Sequence, residues 1–178
     1  RRTAGGRGGE RRASVSIGGV LMSAVDYSLD EADRRILRVL QQDGRITNQD
    51  LAAACNMSPS SCFERVRRLR ERGAILGYAA LIDPRFAERE LLIFVEVLLD
   101  RTTSAIFDQF AERVRRSPEV LECHMVAGGF DYLLKIRMKD MAAYRVFLAE
   151  TLTEMPGVRE TRTYAAMEEV KDSSVLPL

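Results

Sequence analysis

The first organised part of the chain has apolar residues at the spacing of an α-helix. Between residues 30 and 42 they fall on one helical face, and Asp43-Gly44 provides a stop. Two shorter helical segments follow, from Asn48 to Cys55 and from Pro59 to Arg72. Three such helices with a shared apolar centre predict a trihelical domain. The stripe of the first segment consists of Leu29, Ala32, Ile36, Val39 and Leu40.

The second and third segments have clear start signals. Thr47 and Ser58 are residue types that cap helix N-termini, and the proline after Ser58 is tolerated at the first helical position. Along the third segment Cys62, Val66 and Leu69 recur at helical spacing. We therefore expect this helix to bury one stripe and to expose its other side.

The exposed side of the third segment carries small hydroxyl groups first and arginines afterwards. This order suits a helix that enters the DNA major groove, because short side chains allow close approach while arginines reach base edges or phosphates. A capped helix, a turn and such a helix predict a helix-turn-helix. A solvated surface helix is the alternative reading, since Glu64 and Glu71 are interspersed. The candidate DNA contacts are Ser58, Ser60, Ser61, Glu64, Arg65, Arg67, Arg68 and Arg72, with Ser60, Ser61, Arg65 and Arg68 in the groove and the other arginines mostly on phosphates.

After Gly73 the pattern changes to that of strands. Ile75–Ile82 predicts a strand that leads to the turn Asp83-Pro84, and the charged stretch up to Glu90 marks a domain boundary. The order beyond it is β-α-β-β-α-β, a ferredoxin-like α+β fold with both helices on one face of an antiparallel sheet. The six elements are predicted at Leu91–Leu99, Ser104–Arg116, Val120–Ala127, Asp131–Met138, Met141–Met155 and Arg159–Val170.

The other face of this predicted sheet carries apolar residues such as Phe94 and Leu98. An apolar sheet face of that size is usually covered by another copy of the chain. The sequence therefore predicts a homo-oligomer.

Composition limits the function classes only weakly. The 178 residues, 46% of them hydrophobic, suffice for two small domains, and a net charge of +1 does not by itself require nucleic acid. Cys55, Cys62 and Cys123 contain no C-x-x-C pair, so we expect core residues rather than a zinc site or a disulfide. No apolar run is long enough to span a bilayer. These features predict a soluble, cytoplasmic protein without a metal.

The N-terminal stretch is rich in glycine and arginine and lacks hydrophobic periodicity. We expect residues 1–25 to be a disordered extension, with Met22 as a candidate natural start; a basic arm that touches phosphates is the alternative. The predicted domains are a DNA-binding domain over 26–75, a linker strand and hinge over 76–90, and a sensing and oligomerisation domain over 91–178.

Several segments in this order resemble the Lrp/AsnC family, the leucine-responsive type of transcriptional regulator. The resemblance covers nearly everything from Leu29 to Lys171. It implies a winged-helix-like DNA-binding domain and an oligomer built from dimers, commonly an octamer, that is associated with the nucleoid and controls genes of amino-acid metabolism or transport. The segments are Leu29–Leu37, Asp43–Ile46, Ser58–Pro59, Glu64–Leu69, Gly77–Tyr78, Gly128–Tyr132 and Pro156–Val158.

The resemblance also implies an effector site for a free amino acid near the hairpin turn of the sensing domain. Glycines there let backbone amides approach a carboxylate, and Asp131 can accept bonds from an α-ammonium. Ordinary turn chemistry is the alternative for these residues. Leucine is the first candidate effector, followed by methionine, other branched amino acids and an aromatic one, and no cofactor is implied. The implied effector residues are Met125, Gly128, Gly129, Phe130, Asp131, Met141, Tyr164, Ala165 and Ala166.

Two other functions share this layout. Siroheme decarboxylases resemble it, but they need histidine and basic groups around a tetrapyrrole, and this chain has a single histidine, His124, next to Cys123 in a predicted strand. No nucleophile–base, paired-carboxylate or phosphate-loop pattern accompanies it, so we expect no enzyme and no catalytic residue. An architectural DNA-binding protein without any ligand is the other alternative.

Overall fold

The computed structural model describes residues 27–101 and 103–178. The expected N-terminal extension and the candidate start at Met22 lie outside the described residues. The chain forms two units: the first ends at Tyr78 and also contains Val175–Leu178, and the second spans Ala79–Ser174. The last four residues thus pack with the N-terminal unit, whereas the sequence assigned them to the sensing domain.

The N-terminal unit consists of three helices, α1 (Glu31–Gln42), α2 (Asn48–Ala54) and α3 (Pro59–Glu71). Each begins after a side-chain cap, because Asp30, Thr47 and Ser58 accept hydrogen bonds from backbone N–H groups three residues later. The three predicted helices are confirmed to within one residue at each end.

Apolar residues from all three helices meet in one small core. Ile36, Leu51 and Leu69 are buried, and so are the Cys55 and Cys62 thiols, whose pKa values are raised by burial. The predicted core role of these two cysteines is confirmed, and Cys123 packs half-buried against the other core.

The strand predicted at Ile75–Ile82 is wrong. This segment has no regular secondary structure, and Leu76 and Leu81 are almost fully exposed. A strand requires a neighbour for its backbone groups, and among the described residues no backbone–backbone hydrogen bond reaches residues 76–82. The apolar pattern alone does not supply that neighbour.

The second unit is an antiparallel sheet with helices on one face. Its elements are β1 (Leu91–Leu99), α4 (Ser104–Arg115), β2 (Val120–Met125), β3 (Tyr132–Met138), α5 (Met141–Phe147) and β4 (Val158–Ala165). The strand order β2-β3-β1-β4 is that of the ferredoxin-like fold, with β1 paired to both β3 and β4. The predicted fold class and element order are confirmed.

The core of this unit lies between the sheet and its helices. β1 contributes Ile93, Val95 and Val97, and the helices contribute Phe110 and Tyr144, all at most 2% exposed. The Tyr144 hydroxyl group lies 2.5 Å from the Thr163 hydroxyl on β4, so its polar end is satisfied. Alternate β1 residues Phe94, Glu96 and Leu98 lie on the opposite, open face.

Three elements are shorter than the sequence predicted. The predicted helix Met141–Met155 is α-helical only to Phe147, and a π-helical turn covers Leu148–Leu152. The Thr153 amide bonds to the Leu148 carbonyl five residues back, and the Thr153 hydroxyl donates to the same oxygen, which favours the wider turn. β2 ends at Met125 and β4 at Ala165, where ladder pairing stops.

No helix in the described ranges is long and apolar enough to cross a membrane.

Gly157 is a glycine that the fold requires. Its φ is +78°, and an added Cβ would lie 2.5 Å from Cγ2 of Ile106. We expect Gly157→Ala to lower the free energy of unfolding by about 1–3 kcal/mol, through backbone strain and the displaced Ile106. Urea unfolding followed by circular dichroism measures it. Gly128→Ala is the matched control, since its added Cβ meets nothing within 4 Å; equal losses in both variants would contradict the prediction.

Candidate DNA-binding and effector sites

The exposed side of α3 carries most of the predicted DNA contacts. Ser58 caps the helix, with Oγ 3.3 Å from the Ser61 amide and 3.3 Å from Oγ of Ser60. These serines are exposed at the N-terminal end of the helix, as a groove-entering end requires. Further along, Glu64 and Arg67 are exposed and pair with each other at 2.7 Å.

Arg65 is held inside the domain. Its Nη1 atom lies 2.7 Å from Oδ2 of Asp30 and 2.8 Å from Oδ1 of Asp33, and its side chain is only 24% exposed. Asp33 is itself buried on α1. The sequence placed Arg65 on the outward side of α3 as a groove contact; here its guanidinium joins α3 to α1 instead. A partly buried Arg–carboxylate cluster of this kind fixes the orientation of the two helices.

This ion pair changes the ionisation of its partners. The pKa of Asp30 is lowered, first by the hydrogen bond from the Asp33 amide and then by the Arg65 guanidinium. The pKa of Arg65 is raised by its hydrogen bonds to Asp30 and Asp33. Both groups are therefore charged near neutral pH, and the pair persists there.

Two arginines near the end of α3 differ in what they contact. Arg72 Nη2 donates to the Ser28 carbonyl at 2.6 Å, which ties the end of α3 to the segment before α1. Arg68 is exposed, and no hydrogen bond or ion pair with another described residue is seen for its side chain. Arg68 is therefore available to an external anion.

The hairpin between β2 and β3 is fixed by Asp131. Its Oδ2 accepts a hydrogen bond from the Leu99 amide at 2.7 Å, its own amide donates to the Val97 carbonyl, and its carbonyl accepts from Val126. The carboxylate thus ties the turn to the end of β1. This geometry favours the turn-chemistry reading for one carboxylate oxygen and leaves Oδ1 for other partners.

A cavity of about 250 Å³ lies on the open face of the sheet. Cross-strand neighbours Glu96 and Arg162 bring opposite charges to it, and Leu98 and Phe130 supply apolar surface. The Tyr164 hydroxyl donates to Oε1 of Glu96 at 3.2 Å, and its pKa is raised by desolvation and by that carboxylate. The lining consists of Glu96, Leu98, Gly129, Phe130, Glu160 and Arg162.

The structure brings only some of the implied effector residues together. Gly129 and Phe130 line the cavity, and Tyr164 contacts one of its walls. The cavity lining does not include Met125 at the end of β2 or Met141 at the start of α5, which are 61% and 45% exposed. The other implied residues outside this lining are Gly128, Asp131, Ala165 and Ala166.

Sequence reasoning missed four residues of the cavity: Glu96, Leu98, Glu160 and Arg162. The available signal was strand alternation, which assigns Glu96 and Leu98 to the face opposite the core. The strand register, which places Glu96 beside Arg162 and Leu98 beside Glu160, is visible only in the structure.

The single histidine lies beside an ion pair on the protein surface. Nε2 of His124 lies 3.1 Å from Glu122, whose other oxygen is 3.2 Å from Nζ of Lys135. These two partners, His124 first, lower the pKa of Glu122. Within residues 27–101 and 103–178 no group of three potential metal ligands is found. Glu122 and Lys135 therefore form an ion pair, and His124 is hydrogen-bonded beside it.

Two family models match this chain. The "Winged helix-turn-helix DNA-binding" model matches residues 29–75, and the "Lrp/AsnC ligand binding domain" model matches residues 92–176. Together they cover both structural units.

Curated relatives extend the similarity to most of the chain. The leucine-responsive regulatory proteins of Escherichia coli K12 and Klebsiella pneumoniae are each 52% identical over 148 residues, which is 83% of this chain and 90% of theirs.

Solved structures have the same fold. A transcriptional regulator of Neisseria meningitidis, solved as an L-Met complex, is 37% identical with a TM-score of 0.80 and covers 84% of this chain and 97% of that one. An AsnC family transcriptional regulator of Agrobacterium tumefaciens has the same TM-score and coverage at 32% identity.

Removal of the Asp131 carboxylate tests its structural role. We expect Asp131→Ala to lower the free energy of unfolding by about 1.5–3 kcal/mol, because the Leu99 amide loses a charged acceptor. Asp131→Asn keeps an acceptor oxygen and is expected to lose less. Chemical denaturation of both variants measures the difference, and equal stability of Asp131→Ala and the parent chain would contradict it.

The lowered pKa of Asp30 predicts how the N-terminal unit responds to acid. A carboxyl group whose pKa is lower in the folded state contributes stability above its ordinary value of 3.8, and that contribution is lost as the pH falls through the lowered value. We expect Asp30→Asn, which keeps the cap, to be less stable than the parent at neutral pH. The difference in stability between the two chains should disappear at acid pH, where Asp30 is protonated in the parent chain as well.

Thermal unfolding at a series of pH values measures this gap. Glu71→Gln is the control, because Glu71 is exposed and its ion pair with Arg67 is long, at 3.9 Å. Loss of that ion pair should change the thermal stability little at any pH. If the stability difference between Asp30→Asn and the parent chain stays constant at every acid pH tested, the lowered pKa of Asp30 is contradicted.

Proposed function

The chain belongs to the Lrp/AsnC family and is a DNA-binding transcriptional regulator; from this premise we propose that it responds to a free amino acid, with leucine as the first candidate and methionine as the second. The 52% identity to leucine-responsive regulatory proteins favours leucine. The L-Met complex of the Neisseria meningitidis regulator supports methionine as the next candidate. The genes it controls are proposed to be those of amino-acid metabolism or transport, in the cytoplasm at the nucleoid.

The observation that carries the amino-acid proposal is the charge pattern of the open-face cavity. An α-amino acid presents a carboxylate, an ammonium and a side chain within a few ångströms of one another. Arg162, whose Nε atom pairs with Glu160 at 3.0 Å, has its two Nη atoms for the carboxylate. Glu96 is suited to the ammonium, and Leu98 with Phe130 to an aliphatic side chain. We place the effector in this cavity, where it would also contact Gly129.

The proposed DNA contact is the exposed side of α3. Ser60, Ser61 and Arg68 are free of the inter-helix ion pair that holds Arg65, so they form the proposed groove-facing set. Arg65 is retained as a residue that positions α3. We propose that three other residues lie nearer the phosphates. These are Glu64 and Arg67, which pair with each other, and Arg72, which is hydrogen-bonded to Ser28.

The open face of the sheet supports the proposal of a homo-oligomer. Phe94 and Leu98 lie half-buried on this face of the single chain, next to the effector cavity. A second copy that covers this face would bury both residues and would put the effector near the interface. We propose a dimer as the unit and an octamer as its larger assembly, in which several α3 helices bind successive half-sites.

The mechanism is then a linkage between effector and DNA. An amino acid that binds one assembly state more tightly shifts the population toward that state, and DNA affinity changes by the same coupling free energy.

Replacement of Arg68 tests the DNA-binding side. We expect Arg68→Ala to weaken binding to a promoter fragment by at least roughly fivefold, because an unpaired guanidinium that reaches DNA is lost. Arg70→Ala is the matched control, since the same charge is removed from the same helix about 200° away. Fluorescence anisotropy measures affinity, and size-exclusion chromatography checks the oligomer. Equal affinity of the two variants would contradict the groove assignment.

Replacement of Arg162 tests the effector site. The parent chain is expected to gain thermal stability with leucine or methionine in a screen of the twenty amino acids. Arg162→Gln should weaken that effector by about tenfold or more, because a charge-assisted bond to its carboxylate is lost. Arg159→Gln, on the same strand but outside the cavity, is the control. Isothermal titration calorimetry gives both affinities, and unchanged affinity in Arg162→Gln would refute the site.

A further inference from the structure

Strand β2 forms one edge of the sheet in the sensing unit. Within the described part of the chain it pairs with β3 alone, whereas β3 and β1 each have a neighbour on both sides. Proteins often protect an edge strand from pairing with another chain by a proline or a lysine. β2 contains neither, and its apolar residues Leu121 and Met125 are 55% and 61% exposed. The edge therefore has the properties of a pairing surface.

The hydrogen bonds of β2 show which of its backbone groups point outward. The Val126 amide, directly after the strand, donates to the Asp131 carbonyl. Residues that bond to the neighbouring strand alternate with residues that do not along an antiparallel ladder. The even-numbered residues of β2 therefore bond to β3, and Cys123 and Met125 direct their N–H and C=O groups away from the sheet. Among residues 27–101 and 103–178, no backbone–backbone hydrogen bond reaches those outward groups.

The two faces of β2 carry different side chains. Cys123 packs against the core on the helix side, and alternation places Leu121 and Met125 on that side as well. Glu122 and His124 lie on the open side, where Nε2 of His124 is 3.1 Å from the Glu122 carboxylate. One face of the edge is thus apolar, and the other presents an acceptor and a donor two residues apart.

These side chains select one register for an antiparallel pair of two β2 strands around a two-fold axis. With Cys123 opposite its own copy, Glu122 lies opposite the partner's His124, and Leu121 lies opposite the partner's Met125. In this register apolar residues meet on one face and the carboxylates meet imidazoles on the other. Because Cys123 is then paired with itself, its outward N–H and C=O groups bond to the same groups of the second copy.

The neighbouring registers are less favourable. The next one toward the N-terminus sets Glu122 opposite its own copy and brings two carboxylates together. The next one toward the C-terminus leaves only residues 123–125 of the strand in the overlap. Intermediate registers set outward backbone groups of one strand against residues of the other whose groups already bond to β3.

We propose that β2 pairs with β2 of a second copy of this chain, in the antiparallel register centred on Cys123. The sheet of the sensing unit then continues from one copy into the other. This edge is separate from the open face of the sheet, on which the dimer is proposed. A chain that uses both contacts joins dimers into a larger assembly, and this last step alone rests on the proposed oligomer.

Disulfide formation tests the register. The full chain carries Cys123→Ala with Glu122→Cys and His124→Cys, and is oxidised with copper phenanthroline. We expect a covalent dimer on a non-reducing gel, because Cα atoms of non-hydrogen-bonded pairs lie about 4.5 Å apart, within disulfide range. Glu122→Cys alone and His124→Cys alone, each with Cys123→Ala, are the matched controls, since neither meets a second cysteine in this register. The remaining Cys55 and Cys62 are buried.

Two results of this experiment overturn the proposed register. One is the absence of a covalent dimer in the variant with both introduced cysteines. The other is an equal yield of dimer in either single variant, which would indicate a neighbouring register or random collision.

A charge exchange tests the same contact without cysteines. His124→Glu places a carboxylate opposite the partner's Glu122, and the repulsion occurs twice in a two-fold interface. We expect the dissociation constant of the edge contact, from sedimentation equilibrium, to rise at least roughly fivefold. Adding Glu122→Lys to His124→Glu restores opposite charges and should recover most of the loss. Gln109→Glu is the control, because it adds the same charge at an exposed position on α4.

Circular dichroism verifies that each of these variants is folded. An unchanged dissociation constant in His124→Glu overturns the proposal, and so does a loss that Glu122→Lys fails to reverse.

The edge contact and the proposed open-face dimer fail in different ways. Oligomers of the parent chain without a cross-link refute edge pairing and leave the open-face dimer. Cross-linking with no species larger than a dimer refutes the proposed octamer and leaves edge pairing. A monomeric parent chain without a cross-link refutes self-pairing and leaves the edge to a strand of another protein.

Discussion

The sensing unit depends on the pairing of β1 with a strand on each side. β1 is a central strand of the sheet, paired with β3 on one side and with β4 on the other, and from Ile93 to Leu99 its residues alternate between two environments. Val95 and Val97 face the helices, while Glu96 and Leu98 face the open side. A slip of one residue would exchange these sets. The same register therefore specifies both the hydrophobic core and the charges of the proposed effector cavity.

Asp131 stabilises that register at one end. Its carboxylate accepts from Leu99 and its amide donates to Val97, so the β2–β3 turn is attached to the central strand rather than left as a free hairpin. In the proposed effector site, Asp131 acts on the turn and not by lining the cavity. The position of Gly129 and Phe130 at the cavity follows from this attachment.

The sequence predicts those parts of the fold that depend on interactions between residues close together in the chain. Caps at Asp30, Thr47 and Ser58, together with helical spacing, located the three helices, because these signals act within a few residues. The segment Ile75–Ile82 was misassigned because a strand needs a partner, which apolar spacing does not specify. At the π-helical turn Leu148–Leu152 the Thr153 hydroxyl donates to the Leu148 and Ala149 carbonyls, a detail that helical spacing in the sequence does not indicate.

The sites were harder to predict than the fold because they depend on long-range pairing. Arg65 is one of five arginines on or next to α3, and only its contact with carboxylates more than thirty residues away shows that it supports the helix. Likewise, Arg162 becomes a candidate carboxylate ligand only when the register sets it beside Glu96.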